Sequence, residues 1–226
     1  MAQHFDLEEQ EQLDQIKHFW KTHGTWITWL AVVVLAAVAA WNGYQLWQNR
    51  QASQASALYD AIESAANAGD AARLKQAFGD IREKYPRTAY AQQAGLLAGR
   101  VLDEKGEADE ARAALQWVAD KAADEGLQAL ARLRLAGLLV EKKAYDEALA
   151  QVSGSFPPEF AALVADRKGD ILALQGKKPE AAAAYTQAYQ KFDERSEYRG
   201  LVEVKLNALG VDPRATAAAP ATEDRK

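Results

Sequence analysis

Residues 22 to 49 contain no Asp, Glu, Lys or Arg, and a helix drawn through them is apolar all round apart from Thr28. Trp26 and Trp29 stand near one end of this window, and Trp41, Tyr44 and Trp47 near the other. At a rise of ~1.5 Å per residue, Trp26 to Tyr44 spans about 28 Å, one hydrocarbon core. Two aromatic belts at that separation mark two membrane interfaces, so the window is predicted as a transmembrane helix. Beyond residue 50 the pattern changes. No alternating Val/Ile/Thr pattern of a strand occurs, and Ala, Leu, Glu, Lys, Gln and Arg dominate, which favours helix. The predicted helices are 50–68 and 71–85, 88–104 and 107–120, 125–142 and 145–153, 159–175 and 178–191, and an unpaired last helix at 196–209. No breaker separates 50–68 from the window, so the membrane helix is expected to continue outward. The chain thus divides into a tail (1–21), a span (22–49), a helical domain (50–210) and an expected disordered tail (211–226). In the first tail, Asp6 and Glu9 look like a helix N-cap, and Leu13, Ile16 and Trp20 share one face.

An internal repeat organises the helical domain. Aligned on Gly69, Gly106, Lys143 and Gly176, the segments are spaced by 37, 37 and 33 residues. Leu102, Leu139 and Leu172 lie four positions before the aligned residue, and Gly99, Ala136 and Gly169 seven before. Leu74, Ala111, Ala148 and Ala181 lie five after it, and Phe78, Leu115, Val152 and Tyr185 nine after. A small residue in the first helix lets the second approach, the leucine fills the groove between them, and the glycine allows a left-handed turn. This resembles the tetratricopeptide repeat, with Pro86 at the family's closing proline, although Gly95, Arg132 and Ala165 occupy its early Trp position. The fold class expected is therefore all-α: one N-terminal transmembrane helix, then a tetratricopeptide-like solenoid with a C-terminal capping helix.

Charge orients the span weakly. Lys17 and Lys21 precede it and Arg50 follows, which favours a cytoplasmic N-terminus and an outward-facing domain. A cleaved signal peptide is the rival, because Ala37-Val38-Ala39 has the small-x-small form. Its leading region would be long and acidic, and cleavage would leave the second aromatic belt unexplained.

Composition narrows the chemistry. The chain has no cysteine, and His4, His18 and His23 all precede the span. Residues 50–226 carry 25 Lys plus Arg and 27 Asp plus Glu, without a basic stripe for nucleic acid. Without His or Cys, and without Ser-x-x-Lys, no nucleophile-activating set forms, so no catalytic residue is assigned and the chain is read as a non-enzyme. The acidic run Asp103, Glu104, Glu107, Asp109, Glu110 suits a solvated turn better than a cation site, and neither metal nor cofactor is expected. What remains is recognition.

In tetratricopeptide arrays the first helices line a concave groove. The resemblance places Leu96 and Arg100, then Leu130, Leu133 and Val140, then Leu163, Asp166 and Asp170 along it, apolar in the middle and charged at the ends. Each leucine suits inter-repeat core equally well. The whole chain also looks like the YfgM family, ancillary subunits of the SecYEG translocon in Gram-negative bacteria. The features are the Glu/Gln-rich tail, the entry Phe19-Trp20-Lys21 with Gly24, the degenerate repeats, and the terminal run from Tyr198 to Leu209 with its Leu-x-Glu-x-Lys-x-Asn-x-Leu pattern. That resemblance implies a single-pass inner-membrane protein with a periplasmic domain. Its implied partners are the SecYEG translocon, a PpiD-like periplasmic chaperone and exported client polypeptides. The implied role is helping exported proteins reach periplasmic chaperones, with an adaptor role in envelope stress regulation or cell-wall machinery as the alternative.

Overall fold

The computed structural model describes residues 7–214. The expected cap at Asp6 and the tail beyond residue 214 lie outside the described residues. The chain forms two compact units, Met1–Gln51 and Ala52–Lys226. Among the described residues every regular element is helical. The elements are α1 (Leu7–Ala68), α2 (Ala71–Lys84), α3 (Ala89–Glu104), α4 (Ala108–Lys121), α5 (Glu125–Glu141), α6 (Tyr145–Gln151), α7 (Ala161–Leu174), α8 (Lys178–Lys191) and α9 (Glu197–Ala208), with a 3-10 turn at Pro158–Phe160. The predicted span and helix 50–68 are thus one element, α1.

In the first unit α1 is long and apolar enough to cross a membrane. Trp26, Trp29, Trp41, Tyr44 and Trp47 are all exposed. Thr28 is accommodated because its hydroxyl donates to the Gly24 carbonyl at 2.7 Å, which leaves no unsatisfied donor on an apolar surface. Leu13, Ile16, Phe19 and Trp20 are likewise exposed.

The second unit is built as the repeat predicts. Gly69, Gly106 and Gly176 have φ of 67°, 78° and 77°, and Lys143 has φ 58°. At each turn the next amide reaches back five residues: Asp70 to Ala65, Glu107 to Leu102, Ala144 to Leu139 and Lys177 to Leu172, all at 2.8–2.9 Å. This Schellman closure requires the left-handed conformation at the aligned residue. Every leucine, alanine and large residue in the repeat columns is buried. A Cβ on Gly99 would lie 2.6 Å from Leu115, and one on Gly169 would lie 2.5 Å from Tyr185. The small residue seven before the turn therefore meets the large residue nine after it. Asp70, Thr88 and Asp124 cap α2, α3 and α5 through the amides of Arg73, Ala91 and Leu127.

The structure departs from the predicted elements in three places. α6 ends at Gln151 instead of 153, and Gly154 then takes a φ of 98°. The helix expected from 159 starts as a 3-10 turn at Pro158–Phe160, in which the Phe160 amide donates to the Pro157 carbonyl at 3.0 Å, and α7 proper begins at Ala161. Residues 211–214, expected to belong to a disordered tail, are packed against the end of α9. The Val211 amide bonds the Leu206 carbonyl at 3.0 Å, and Pro213 is buried. Gly210 has φ 80°, stands 34 residues after Gly176, and is preceded by buried Leu206 at the leucine position. α9 therefore has the register of the first helix of a further repeat.

Two clusters of buried residues form the core. The larger runs from Ala55, Ile62 and Ala65 through α2–α6 to Ile171, and the smaller joins Ala165 and Leu172 of α7 to α8 and to Val202 and Leu206 of α9. α7 contributes to both, so it is the seam between the array and its last layer.

Candidate functional site

The first helices α3, α5 and α7 lie side by side, each also packed on the second helix that follows it. Between them opens a cleft of about 410 Å³ lined by Arg100 and Asp103 of α3, Leu130, Leu133, Arg134, Gly137 and Glu141 of α5, and Arg167 of α7, with Leu115 beneath. Of the residues expected along a groove, Arg100, Leu130 and Leu133 line this cleft. Leu96 is buried in the core, and Val140 packs half-buried against it. Leu163 is exposed on α7.

Asp166 and Asp170 do not form the free charged end that was expected. Lys205 of α9 donates to both oxygens of Asp166 at 2.8 and 2.9 Å and to Asp170 at 2.7 Å. The Tyr198 hydroxyl donates to Asp166 at 3.0 Å, and the Tyr185 hydroxyl to Asp170 at 2.8 Å. The Asp166 side chain is 3% exposed. The physical reason is stacking: α9 puts Lys205 five positions before its turn, where Val101, Leu138 and Ile171 are buried. A half-buried cation there is matched by carboxylates from the preceding helix. Burial pulls the Lys205 ammonium down, but its bonds to Asp166 and Asp170 outweigh this and hold it above its ordinary value. Burial, with the neighbouring carboxylates, raises the Tyr185 and Tyr198 phenols.

Sequence reasoning missed Arg134 and Arg167. Both stand nine positions before a turn residue, so the repeat alignment itself placed them on one face. The Arg134 guanidinium donates to the Leu96 carbonyl at 3.1 Å, and burial followed by the Arg100 charge lowers it from its usual value. Arg100 lies 3.9 Å from Glu104, and among the described residues Arg134 and Arg167 have no ion-pair partner. The acidic run is held elsewhere: Glu107 pairs with Lys75 at 2.5 Å and Asp109 with Lys142 at 2.5 Å. Arg132 is also structural. It donates to the carbonyls of Gln151, Ser153 and Ser155 and stacks 4.1 Å over Phe156, ordering the loop before α7.

A family model described as a tetratricopeptide repeat-like domain matches residues 17–211. Three curated relatives carry the name ancillary SecYEG translocon subunit. The Neisseria gonorrhoeae protein is 38% identical over 210 residues, covering 92% of this chain and 100% of its own length. The Haemophilus influenzae protein is 27% identical over 205 residues, 91% of this chain and 99% of its own. The Escherichia coli protein is 31% identical over 125 residues, 55% of this chain and 60% of its own.

Proposed function

This chain belongs to the YfgM family of tetratricopeptide repeat-like proteins, and from that premise we propose that it is a non-catalytic scaffold anchored by α1 beside the Sec translocon. The observation that carries the reading is the likeness to the Neisseria gonorrhoeae subunit over that protein's whole length, span included. The N-terminal tail lies in the cytoplasm and residues 50–210 form a domain on the periplasmic side of the inner membrane, as the bias of Lys17 and Lys21 over Arg50 favours. There the domain associates with a PpiD-like chaperone and with exported polypeptides, and helps clients move from the translocon to periplasmic chaperones. Its contacts are made through the cleft of Arg100, Leu130 and Leu133. The leucines and arginines of the cleft suit contact with the apolar and acidic side chains of a polypeptide.

The test is purification of the tagged full chain from native membranes in mild detergent. Translocon subunits are expected to co-purify, and photocrosslinkers at Leu130 or Leu133 are expected to capture exported polypeptides or a periplasmic chaperone. Recovery of translocon subunits no higher than with an unrelated single-span protein would sink the reading. The exposed Leu13, Ile16 and Trp20 favour a second one, an adaptor in envelope stress regulation or cell-wall machinery working through the tail. Deleting residues 2–16 would then abolish signalling while leaving translocon association intact.

A further inference from the structure

We propose that the exposed face shared by α7 and α9 docks an amphipathic helix of another protein that carries an apolar stripe flanked by carboxylates. The face is defined by register. Leu130, Arg134, Gly137 and Glu141 lie thirteen, nine, six and two positions before the turn residue Lys143, and all four line the cleft between first helices. The same rows hold Leu163, Arg167 and Leu174 before Gly176, and Leu201 and Val204 before Gly210. Leu163, Leu174, Leu201 and Val204 are 39%, 53%, 53% and 66% exposed. In the repeat unit, four of the five exposed large apolar side chains recorded among the described residues thus fall on these rows; the fifth is Tyr198, held by Asp166. Apolar side chains concentrated on one solvent-facing surface mark an interaction site, whereas scattered ones do not.

Charge selects the occupant. Arg167 lies one turn from Leu163 on the same face of α7, and Arg134 follows it across the cleft. Neither has a carboxylate partner among the described residues. The nearby acids on α7 are already occupied, since Asp166 and Asp170 are bound by Lys205. Asp103 of α3 also lines the cleft, Glu141 lies on α5 two turns beyond Arg134, and Glu197 begins the α9 row. A partner helix whose apolar stripe covers the four exposed side chains would therefore bring its flank against Arg134 and Arg167. Acidic residues there gain charge-assisted bonds, and basic ones meet unpaired arginines. The inference rests on the scaffold reading only in seeking a protein partner.

The probes are two synthetic 18-residue helices of one apolar pattern, one with a glutamate face and one with a lysine face. Each is titrated by fluorescence anisotropy against the full chain in nanodiscs of anionic lipid, with empty nanodiscs as reference. The glutamate helix is expected to bind and the lysine helix to show nothing above the reference. Leu201→Ser with Val204→Ser, and separately Arg167→Glu, should each weaken the glutamate helix by roughly tenfold or more while leaving helical content unchanged. Equal binding of both helices, binding unaffected by either substitution, or no binding above empty nanodiscs would overturn the proposal. So would a photocrosslinker at Leu201 that links two copies of this chain with peptide present. Translocon co-purification retained alongside absent peptide binding would overturn this inference alone and leave the scaffold reading standing.

Discussion

Lys143 shows how a single residue reports the repeat. Its φ of 58° places a lysine where the other turns of the array place glycine. The Ala144 amide still closes onto Leu139 at 2.9 Å, so the neighbouring bonds impose the conformation on a side chain that resists it. A left-handed L-residue costs about 1–2 kcal/mol, and glycine gives back about 0.5–1 kcal/mol through its freer unfolded state. Lys143→Gly is expected to stabilise the unit by about 0.5–1 kcal/mol, read as a rise of a few degrees in the thermal midpoint. A fall would mean that the Lys143 side chain holds something more than the turn. Its place in the repeat was legible in the sequence, because turn spacing is local and carries over from one repeat to the next.

At the scale of the element, α9 is where polar packing takes over from apolar packing. Val202 and Leu206 dock it on α7 and α8, while Lys205 stands among Asp166, Asp170, Tyr185 and Tyr198. Lys205→Met would leave Asp166 buried without its counter-ion, a loss of about 3–5 kcal/mol. Amide exchange should then lose protection in α9 and the C-terminal half of α7, with α3 to α5 retained, because each layer touches only its neighbours. Loss spread evenly over the array would contradict this. The pH dependence follows from groups whose folded values are raised. Lys205, Tyr185 and Tyr198 all hold their protons more tightly when folded, so their contribution is whole below their ordinary values near ~10 and is lost as pH climbs through the raised ones. The α7–α9 end should therefore open first on alkaline titration, and Lys205→Met should remove the lysine's share of that alkaline transition while leaving the share of the two tyrosines.

The whole molecule joins a helix long and apolar enough to cross a membrane to a unit with its own core. If α1 stays uncleaved, the chain in native membranes resists extraction at alkaline pH and its intact mass includes residues 1–39. A mature chain beginning after Ala39 would restore the signal-peptide reading. By itself the sequence determined the charge-free window, the helical class, the turn positions, and the columns of small residues, leucines and large residues that recur from repeat to repeat. These follow from local rules, since burial of one face and the conformation of a turn are set within one element or one repeat. Only the tertiary structure decided what the polar residues do. Asp166 and Asp170 read as a charged groove end until α9 brings in Lys205, 39 and 35 residues away. Arg134 and Arg167 went unnoticed in the sequence, and it is the stacking of the first helices that brings them to one cleft. The apolar period of a helix records which face is buried, but the partner of a buried charge depends on which helix is stacked against it.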